Sequence, residues 1–221
     1  MHTKRIAAGK GKQPKWFVTS QAGAHRKQGS MTLLYVMRDV LKYADNAHEA
    51  ERIIRSGQVV VNKKIIRELK QAVGLMDVVE IPKLAAYYRV LPAAHGIRLH
   101  EIREPESAVK PCRIVDKQTL KGGKTQLNLH DGTTILLNKN TFKTKDTLVL
   151  ELPSRKIRDV LEYKTGAMAL ISKGRHSGKS GVISEVSTGG ASMKSKTKVG
   201  DFETLTDYVF VIGKDTPAIS I

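Results

Sequence analysis

The segment NAHEAERIIRSGQVVVNKKII, residues 46–66, carries in succession the signals for a helix start, a helix end and a hairpin. Asn46 is a favourable N-cap residue, and Glu49 three positions later is the reciprocal partner of a capping box. Gly57 provides the left-handed residue that commonly ends a helix. The apolar face between these ends consists of Ala50, Ile53 and Ile54. The pattern therefore predicts a helix from Asn46 to about Ser56.

A hairpin is predicted directly after this helix, because residues 59–61 and 65–66 are strand-forming runs separated by a polar stretch. A two-residue turn at Asn62-Lys63 requires positive φ at both positions, and glycine is preferred at the second one. Lys63 in that place costs roughly 1 kcal/mol of backbone strain. Either a slightly longer loop relieves the strain or a positively charged tip is required, and the sequence leaves both interpretations open.

The residues before this segment predict a first helix over 32–44, with apolar side chains at the spacing i, i+3, i+4 and i+7. Arg38 and Lys42 fall on the side opposite the apolar stripe, at about 100° per residue. A strand at 77–81, closed by Pro82, follows the hairpin. Together these elements predict a small helix-helix-hairpin module.

Strand signals dominate from Tyr87 onward. The alternation in 126–130 places Leu127 and Leu129 inward, and Asp131-Gly132 is a strong hairpin turn. Further strands are predicted at 112–115, 135–137, 148–152, 167–171, 182–186 and 208–212, with basic loops at 172–181 and 188–198. The predicted fold class is α+β in several modules: a basic N-terminal arm at 1–30, a helix-helix-hairpin domain at 31–92, a central small β domain at 93–160 and a C-terminal β domain at 161–221.

The charge balance defines the class of partner. Lysine and arginine total 38 against 21 acidic residues, which gives a formal net charge of +17. Such an excess repels itself unless a polyanion neutralises it. No apolar run approaches the ~18 residues that span a bilayer, so nucleic acid is favoured over a membrane. Cys112 is the only cysteine, which rules out an intrachain disulfide and fits a reducing, cytoplasmic location.

The segment GRHSGKS, residues 174–180, superficially resembles a phosphate-binding P-loop. That motif needs four residues between its glycines and a helix after it. Here three residues separate Gly174 from Gly178, and the β-branched pair Val182-Ile183 follows. The chain has no nucleophile elbow Gly-x-Ser-x-Gly, and its histidines lack metal-site spacing. The sequence therefore predicts no enzyme, no metal, no cofactor and no small-molecule substrate, and Cys112 is interpreted as a buried, inert thiol.

Basic charge is instead distributed over several modules. The arm has seven basic residues, no acidic one and several helix-breaking glycines, so we expect it to order on nucleic acid. Aromatic residues make up only 5%, which favours phosphate and shape contacts with double-stranded RNA over base stacking. The predicted RNA-binding residues are Lys4, Arg5, Lys10, Lys12, Lys15, Arg26 and Lys27 in the arm, Arg38, Lys42, Arg52, Arg55, Lys63 and Lys64 in the helical module, and Lys173, Arg175, Lys179, Lys194 and Lys196 in the last domain.

Two segments resemble known modules. Residues 32–81, with ERIIRSGQVVVN at 51–62, are similar to the S4 RNA-binding domain, and GRHSGKSGVI at 174–183 is similar to a KOW motif, which implies an SH3-like barrel. The order of these modules, together with MRDVLKYA at 37–44, NLHDG at 128–132 and DYVFVIG at 207–213, resembles the S4e family of archaeal and eukaryotic small-subunit ribosomal proteins. Because it lacks a long C-terminal extension, the sequence resembles the archaeal members more than the eukaryotic ones.

The resemblance implies a structural protein docked on small-subunit ribosomal RNA beside neighbouring ribosomal proteins, with no catalytic residues. Two other functions remain open from the residues. One is a transcription or RNA-processing regulatory factor that uses its KOW motif to contact a polymerase. The other is an RNA-modifying enzyme with an S4-like domain, although the small β modules after residue 92 leave little room for a catalytic domain.

Overall fold

The computed structural model describes residues 17–138, 141–189, 194–214 and 216–221. The predicted RNA-binding residues Lys4, Arg5, Lys10, Lys12 and Lys15 lie outside the described residues. The chain forms two compact units. Among the described residues, the first unit contains 17–91, 95–110 and 151–155, and the second contains 92–94, 111–150 without its gap, and the described part of 156–221. The domain boundaries predicted at 30, 92 and 160 stay predictions.

The first helix of the first unit is shorter than predicted. It starts as an α-helical turn at Leu33–Tyr35 (α1) and continues as a π-helical turn at Val36–Val40. Lys42 has a φ of 56°, and the Tyr43 amide donates to the Met37 carbonyl at 2.9 Å, so the chain leaves the helix before Ala44. Tyr43 and Ala44 still pack into the core. The apolar pattern therefore continued past the real helix end, and the prediction of a helix to residue 44 was wrong.

The second helix, α2 at Ala47–Arg55, has the predicted ends. Asn46 Oδ1 accepts a hydrogen bond from the Glu49 amide at 2.9 Å, while Glu49 Oε2 accepts one from the Asp45 amide at 2.9 Å. The Glu49 amide, which the helix start leaves unpaired, is thereby satisfied, and so is the amide of the residue before the N-cap. Gly57 has a φ of 76°, which confirms it as the left-handed residue after the helix.

The strands of the first unit form a five-stranded antiparallel sheet and a separate pair. They are β1 (Ser30–Thr32), β2 (Val60–Val61), β3 (Lys64–Ile65), β4 (Ala72–Gly74), β5 (Val78–Ile81), β6 (Ala86–Ala93) and β7 (Gly96–Glu101). The sheet order is β3-β2-β5-β6-β7, and β1 pairs with β4. Helix α3 (Glu104–Ser107) follows β7. One core cluster unites the two helices with the sheet, and it includes Leu33, Val36, Ile54, Val59, Val79 and Val90.

The turn between β2 and β3 is the tight form. Asn62 has a φ of 51° and Lys63 a φ of 61°, as a two-residue hairpin turn of the primed type requires. The interpretation as a longer loop was therefore wrong, and Lys63 adopts the left-handed conformation.

The second unit contains two five-stranded antiparallel sheets. The first has the order β10-β9-β8-β11-β12, and its strands are β8 (Val109–Thr119), β9 (Thr125–Leu129), β10 (Thr134–Leu137), β11 (Thr147–Glu151) and β12 (Ile157–Leu161). The second has the order β16-β15-β14-β13-β17, with β13 (Met168–Ile171), β14 (Ser180–Ser187), β15 (Lys196–Val199), β16 (Phe202–Leu205) and β17 (Val209–Gly213). Leu127 and Leu129 are buried as predicted. None of the helices in the described ranges is both long and apolar enough to cross a membrane.

Strand β15 was missed because its inward residues are not all apolar. Thr197 and Val199 are buried, whereas Lys196 and Lys198 are exposed. The Thr197 hydroxyl shares a hydrogen bond of 2.9 Å with the Thr206 hydroxyl, so burying it is tolerated. The prediction of a loop extending to residue 198 was therefore wrong from residue 196 onward.

We expect Ile54→Ala to lower the free energy of unfolding of the first unit by about 2–5 kcal/mol, because Ile54 is 0% exposed and truncation leaves a cavity. Ile65→Ala is the matched control, since Ile65 is 59% exposed, and its effect should stay within about 0.5 kcal/mol. Urea unfolding followed by circular dichroism measures both. Equal midpoints for the two variants would contradict the assignment of the core.

Candidate nucleic-acid interface

Several exposed cations of the first unit lie on or beside α2. Arg52 and Arg55 lie three residues apart on the helix surface and are both exposed. Arg55 also forms an ion pair with Glu51 at 2.7 Å. Such a surface pair is weak in water, so it leaves the guanidinium available to a stronger anion.

Arg67, which the sequence reasoning missed, joins this surface. Arg55, Arg67, Glu68 and Leu69 line a groove of about 480 Å³. The Nε and one terminal nitrogen of Arg67 lie 3.6 Å from the position that a Cβ on Gly57 would take, so this side chain lies beside the end of α2. The β2–β3 hairpin brings two arginines that are twelve positions apart to one groove, and spacing alone could not reveal this. Guanidinium groups are favoured partners of phosphates, so this groove is a candidate phosphate site.

Lys42 is exposed, whereas Arg38 is half-buried and pairs with Asp39 at 2.9 Å. At the hairpin, Lys64 is exposed. The Lys63 ammonium instead lies 2.9 Å from Glu80 Oε2 and donates to the Ser107 hydroxyl at 2.7 Å. The charge of Lys63 is therefore compensated by a nearly buried carboxylate, and the interpretation of Lys63 as a positive tip stays a prediction.

In the second unit, Lys173, Arg175 and Lys179 are exposed on the loop that precedes β14. Gly174 has a φ of 90° and Gly178 a φ of 85°, and an added Cβ on Gly178 would lie 3.1 Å from the Pro92 carbonyl. The loop runs into a strand, which confirms that it is not a P-loop.

Lys194 and Lys196 are exposed as well. Lys196 forms an ion pair with Glu203 of β16 at 2.9 Å, and both side chains are more than half exposed. That pair is weak for the same reason as the pair on α2. The five predicted cations of the second unit are thus all on the surface, although Lys196 already has an acidic neighbour.

Two further arginines are structural. Arg89 is 0% exposed, donates to the carbonyls of Glu106 and Val109 at 2.9 Å, and lies 3.1 Å from the Glu106 carboxylate. Burial lowers the pKa of Arg89 to about 10, while Glu106 acts in the opposite direction. Arg113 donates to the carbonyls of Asp207 at 2.6 Å and Val209 at 2.9 Å. These guanidinium groups link strands and are not offered to a ligand.

Arg26 and Lys27 are exposed at the end of the arm, and the residue before them is held in the interior. The His25 imidazole is only 7% exposed, and its Nε2 lies 2.8 Å from Asp77 Oδ2. Asp77 Oδ2 also accepts from the Gly74 amide at 2.9 Å.

The other carboxylate oxygen of Asp77 has two further donors. Asp77 Oδ1 accepts from Asn62 Nδ2 at 2.8 Å and from Lys110 Nζ at 2.7 Å. We call these five residues the Asp77 cluster.

The ionisation of Asp77 follows from its neighbours. Burial by itself would raise the pKa of this carboxyl group, but Lys110, His25 and the Gly74 amide outweigh burial and hold its pKa far below the ordinary range. The carboxylate is therefore charged throughout the physiological range, although its side chain is only 3% exposed.

One group in the described residues has the composition of a metal site. Cys112, His130 and Asp131 offer ligand atoms that lie within 4.8 Å of one another. The Cys112 thiol, however, donates to Asp131 Oδ2 at 3.7 Å, and His130 Nδ1 accepts from the Arg113 amide at 3.3 Å. These hydrogen bonds occupy lone pairs that a metal ion would need. The group is therefore better described as a largely buried polar network, and Cys112 is buried as predicted.

Comparison with known proteins identifies the family. The model described as Ribosomal family S4e matches residues 84–157, and the S4 domain model matches residues 32–79. The small ribosomal subunit protein eS4 of Methanocella arvoryzae is 40% identical over 227 residues, which cover 99% of this chain and 96% of the relative. The chain belongs to the S4e family of ribosomal proteins. The protein of the same name from Methanothermobacter thermautotrophicus is 42% identical over 216 residues, covering 95% of this chain and 89% of that relative.

The solved structures agree with the S4e assignment. The crystal structure of the 30S ribosomal protein S4e from Thermoplasma acidophilum superimposes with a TM-score of 0.76 at 33% identity, covering 84% of this chain and 96% of that one. The resemblance stated from the sequence is thereby confirmed. So is the α+β fold class with an N-terminal S4 domain, and the sheet β16-β15-β14-β13-β17 is consistent with the KOW-type C-terminal fold.

The Asp77 cluster leads to a prediction on stability and pH. The folded pKa of Asp77 lies below the unfolded value of about 3.9. Its contribution is therefore complete above the unfolded pKa and is lost as the pH falls from about 5 towards 2. Asp77→Asn should lower the free energy of unfolding at pH 7 by about 3–5 kcal/mol, since it leaves Lys110 buried without its carboxylate.

Urea unfolding at several pH values measures both effects. The loss on acidification should be smaller for Asp77→Asn than for the parent chain. Asp201→Asn, at an exposed turn, is the control and should behave as the parent does. Parallel pH dependences for the parent and Asp77→Asn would show that Asp77 does not carry the linkage.

Proposed function

We propose that this S4e protein is a structural, non-enzymatic constituent of the small ribosomal subunit in the cytoplasm, which binds ribosomal RNA through phosphate and shape contacts and lies against neighbouring ribosomal proteins. The single observation that carries the proposal is the placement of exposed cations on both units of a chain of this family. RNA helices present phosphates over a wide surface, so several positive surfaces can be neutralised at once.

The individual contacts need not be strong. Each exposed lysine or arginine supplies one phosphate contact, and the chain links these contacts covalently. Once one unit is bound, the other binds at a high effective concentration, so that weak local affinities combine into tight binding. We propose that the arm, the S4-like domain at 31–92 and the KOW-containing domain at 161–221 each supply such contacts, with the β domain at 93–160 between them.

The structure supports a ranking of the predicted residues. Lys42, Arg52, Arg55 and Lys64 are exposed in the first unit, and Lys173, Arg175 and Lys179 are exposed in the second. We propose these as the principal phosphate contacts, together with Arg26 and Lys27 and the newly found Arg67. Arg38 and Lys63 are only partly exposed and each has an acidic partner at 2.9 Å, so we place them in a second rank. Lys194 and Lys196 are exposed, and the pair of Lys196 with Glu203 is a weak surface pair like that of Arg55, so both join the principal contacts.

The regulatory alternative has less support. The relatives that match almost the entire chain are named small ribosomal subunit proteins. A KOW motif on its own is compatible with a transcription factor, whereas the full-length match includes the arm and the S4 domain.

The salt dependence of RNA binding tests the interface. We expect Arg52→Gln and Lys42→Gln each to flatten the slope of log K against log salt by about 0.7–0.9 per lost phosphate contact. The measurement is a filter-binding titration on small-subunit ribosomal RNA at several salt concentrations. Lys164→Gln is the matched control, because Lys164 is a similarly exposed lysine that already pairs with Glu162 at 3.3 Å. Slopes that equal the control's would remove Arg52 and Lys42 from the interface.

Sedimentation of a cell extract distinguishes the two functions. The native protein should travel with the small-subunit peak and leave it only at high salt, since its attachment is largely electrostatic. Co-sedimentation with a polymerase in place of ribosomal particles would favour the regulatory function and refute the ribosomal one.

A further inference from the structure

The proposed RNA contacts do not explain why the side chain of His25 is buried. It lies in the arm, one residue before the exposed cations Arg26 and Lys27, yet its side chain is only 7% exposed. A histidine that served RNA directly would be expected at the surface. Here the imidazole is turned into the first unit and lies 2.8 Å from the charged Asp77.

The imidazole of His25 packs against Gly74, where the absence of a side chain makes room for the ring. A Cβ added to Gly74 would lie 2.3 Å from Cγ and Nδ1 of His25, a distance that side chains cannot tolerate. Gly74 has no positive φ, so its backbone conformation does not require glycine. The close approach of the ring is what requires it, and the fit shows that β4 is shaped to receive the arm.

The backbone that follows His25 is fixed as well. The carbonyl of Arg26 accepts hydrogen bonds from the Gly29 amide at 3.0 Å and from the Ser30 hydroxyl at 3.1 Å. β1 then pairs with β4 in a register that places Ser30 opposite Gly74. The short segment between His25 and β1 is thereby held at both ends, and Arg26 and Lys27 extend from it into solvent.

We propose that His25 is a positioning residue for RNA binding: seated on Gly74 and held by Asp77, it fixes the end of the arm so that Arg26 and Lys27 present a preformed pair of cations to RNA phosphates. The inference rests on the proposed function. Fixing the segment before binding removes the entropy loss that a free arm would suffer on the RNA, and this preorganisation raises the affinity. His25 itself contacts no RNA.

The remaining members of the Asp77 cluster make the proposal testable without unfolding the protein. When His25 is replaced, Asp77 retains Lys110, Asn62 and the Gly74 amide as donors. His25→Ala should therefore release the arm while the core of the first unit stays folded. His95→Ala is the matched control, since His95 is exposed in the turn between β6 and β7.

Hydrogen exchange of the free protein, followed by mass spectrometry, gives the first readout. In the docked arm the Gln21 amide donates to the Lys70 carbonyl, and the Gly29 amide donates to the Arg26 carbonyl. In His25→Ala both amides should exchange at least tenfold faster. Amides of α2 should be unchanged. Gly74→Ala should have the same effect by displacing the ring, and it should add little in the His25→Ala background, because the clash is then gone. Unchanged exchange in His25→Ala would overturn the proposal.

RNA affinity gives the second readout, which a merely structural role of His25 would not reproduce. His25→Ala should weaken binding to small-subunit ribosomal RNA by about tenfold, which is roughly 1.4 kcal/mol. In a chain that already carries Arg26→Gln and Lys27→Gln, the same substitution should have almost no effect, because no cations are left to position. An undiminished effect in that background, or no effect in the parent, would refute the positioning role.

The two readouts separate this proposal from the function on which it rests. If the parent chain fails to bind ribosomal RNA even in dilute salt, the proposed function fails and the positioning role fails with it, whatever the exchange rates. If the parent binds but its affinity does not depend on His25, only the positioning role is lost.

Discussion

The first unit depends on the hydrogen bonds and ion pairs of one buried carboxylate, that of Asp77. It accepts from an amide of β4, from the turn residue Asn62 and from Lys110 in β8, and it holds His25 of the arm. Replacing Asp77 would leave Lys110 in a low-dielectric interior without its carboxylate, which is far more costly than losing a surface ion pair. The arm, β4, the β2–β3 turn and the start of β8 are distant in sequence, and the shared carboxylate holds them together.

The same contrast between buried and surface charge separates structural cations from those suited to RNA. Arg89 and Lys110 are buried with buried or nearly buried partners, and each connects elements of the first unit. Arg52, Lys64 and Lys173 lie at the surface, where water screens any acidic neighbour. A phosphate that displaces water from such a side chain gains a charge-assisted hydrogen bond, whereas a buried cation would first have to abandon its partner. Some of the lysines and arginines therefore stabilise the fold, whereas those at the surface are suited to binding RNA.

Close approach between backbone and side chains is the second recurring device. Gly74 admits the His25 ring, and Gly178 packs against the backbone at Pro92. At both positions an added Cβ would lie closer to its neighbour than ordinary van der Waals contact allows.

The sequence by itself determined the local elements whose signals are chemical and short in range. The cap at Asn46, the stop at Gly57, the alternation at Leu127 and Leu129 and the family resemblance all follow from neighbouring residues, since propensity and capping act within one or two turns. Only the tertiary structure decided which cations are free, because exposure and ion pairing depend on residues far apart in the chain. The sequence left open whether Lys63 forms a positively charged tip, and its ion pair with Glu80 is visible only in the tertiary structure. Arg67 had no signal until the hairpin brought it to Arg55. The strand at Lys196–Val199 was hidden for the same reason, since its buried Thr197 is satisfied by a hydroxyl from Thr206, which no local pattern reveals.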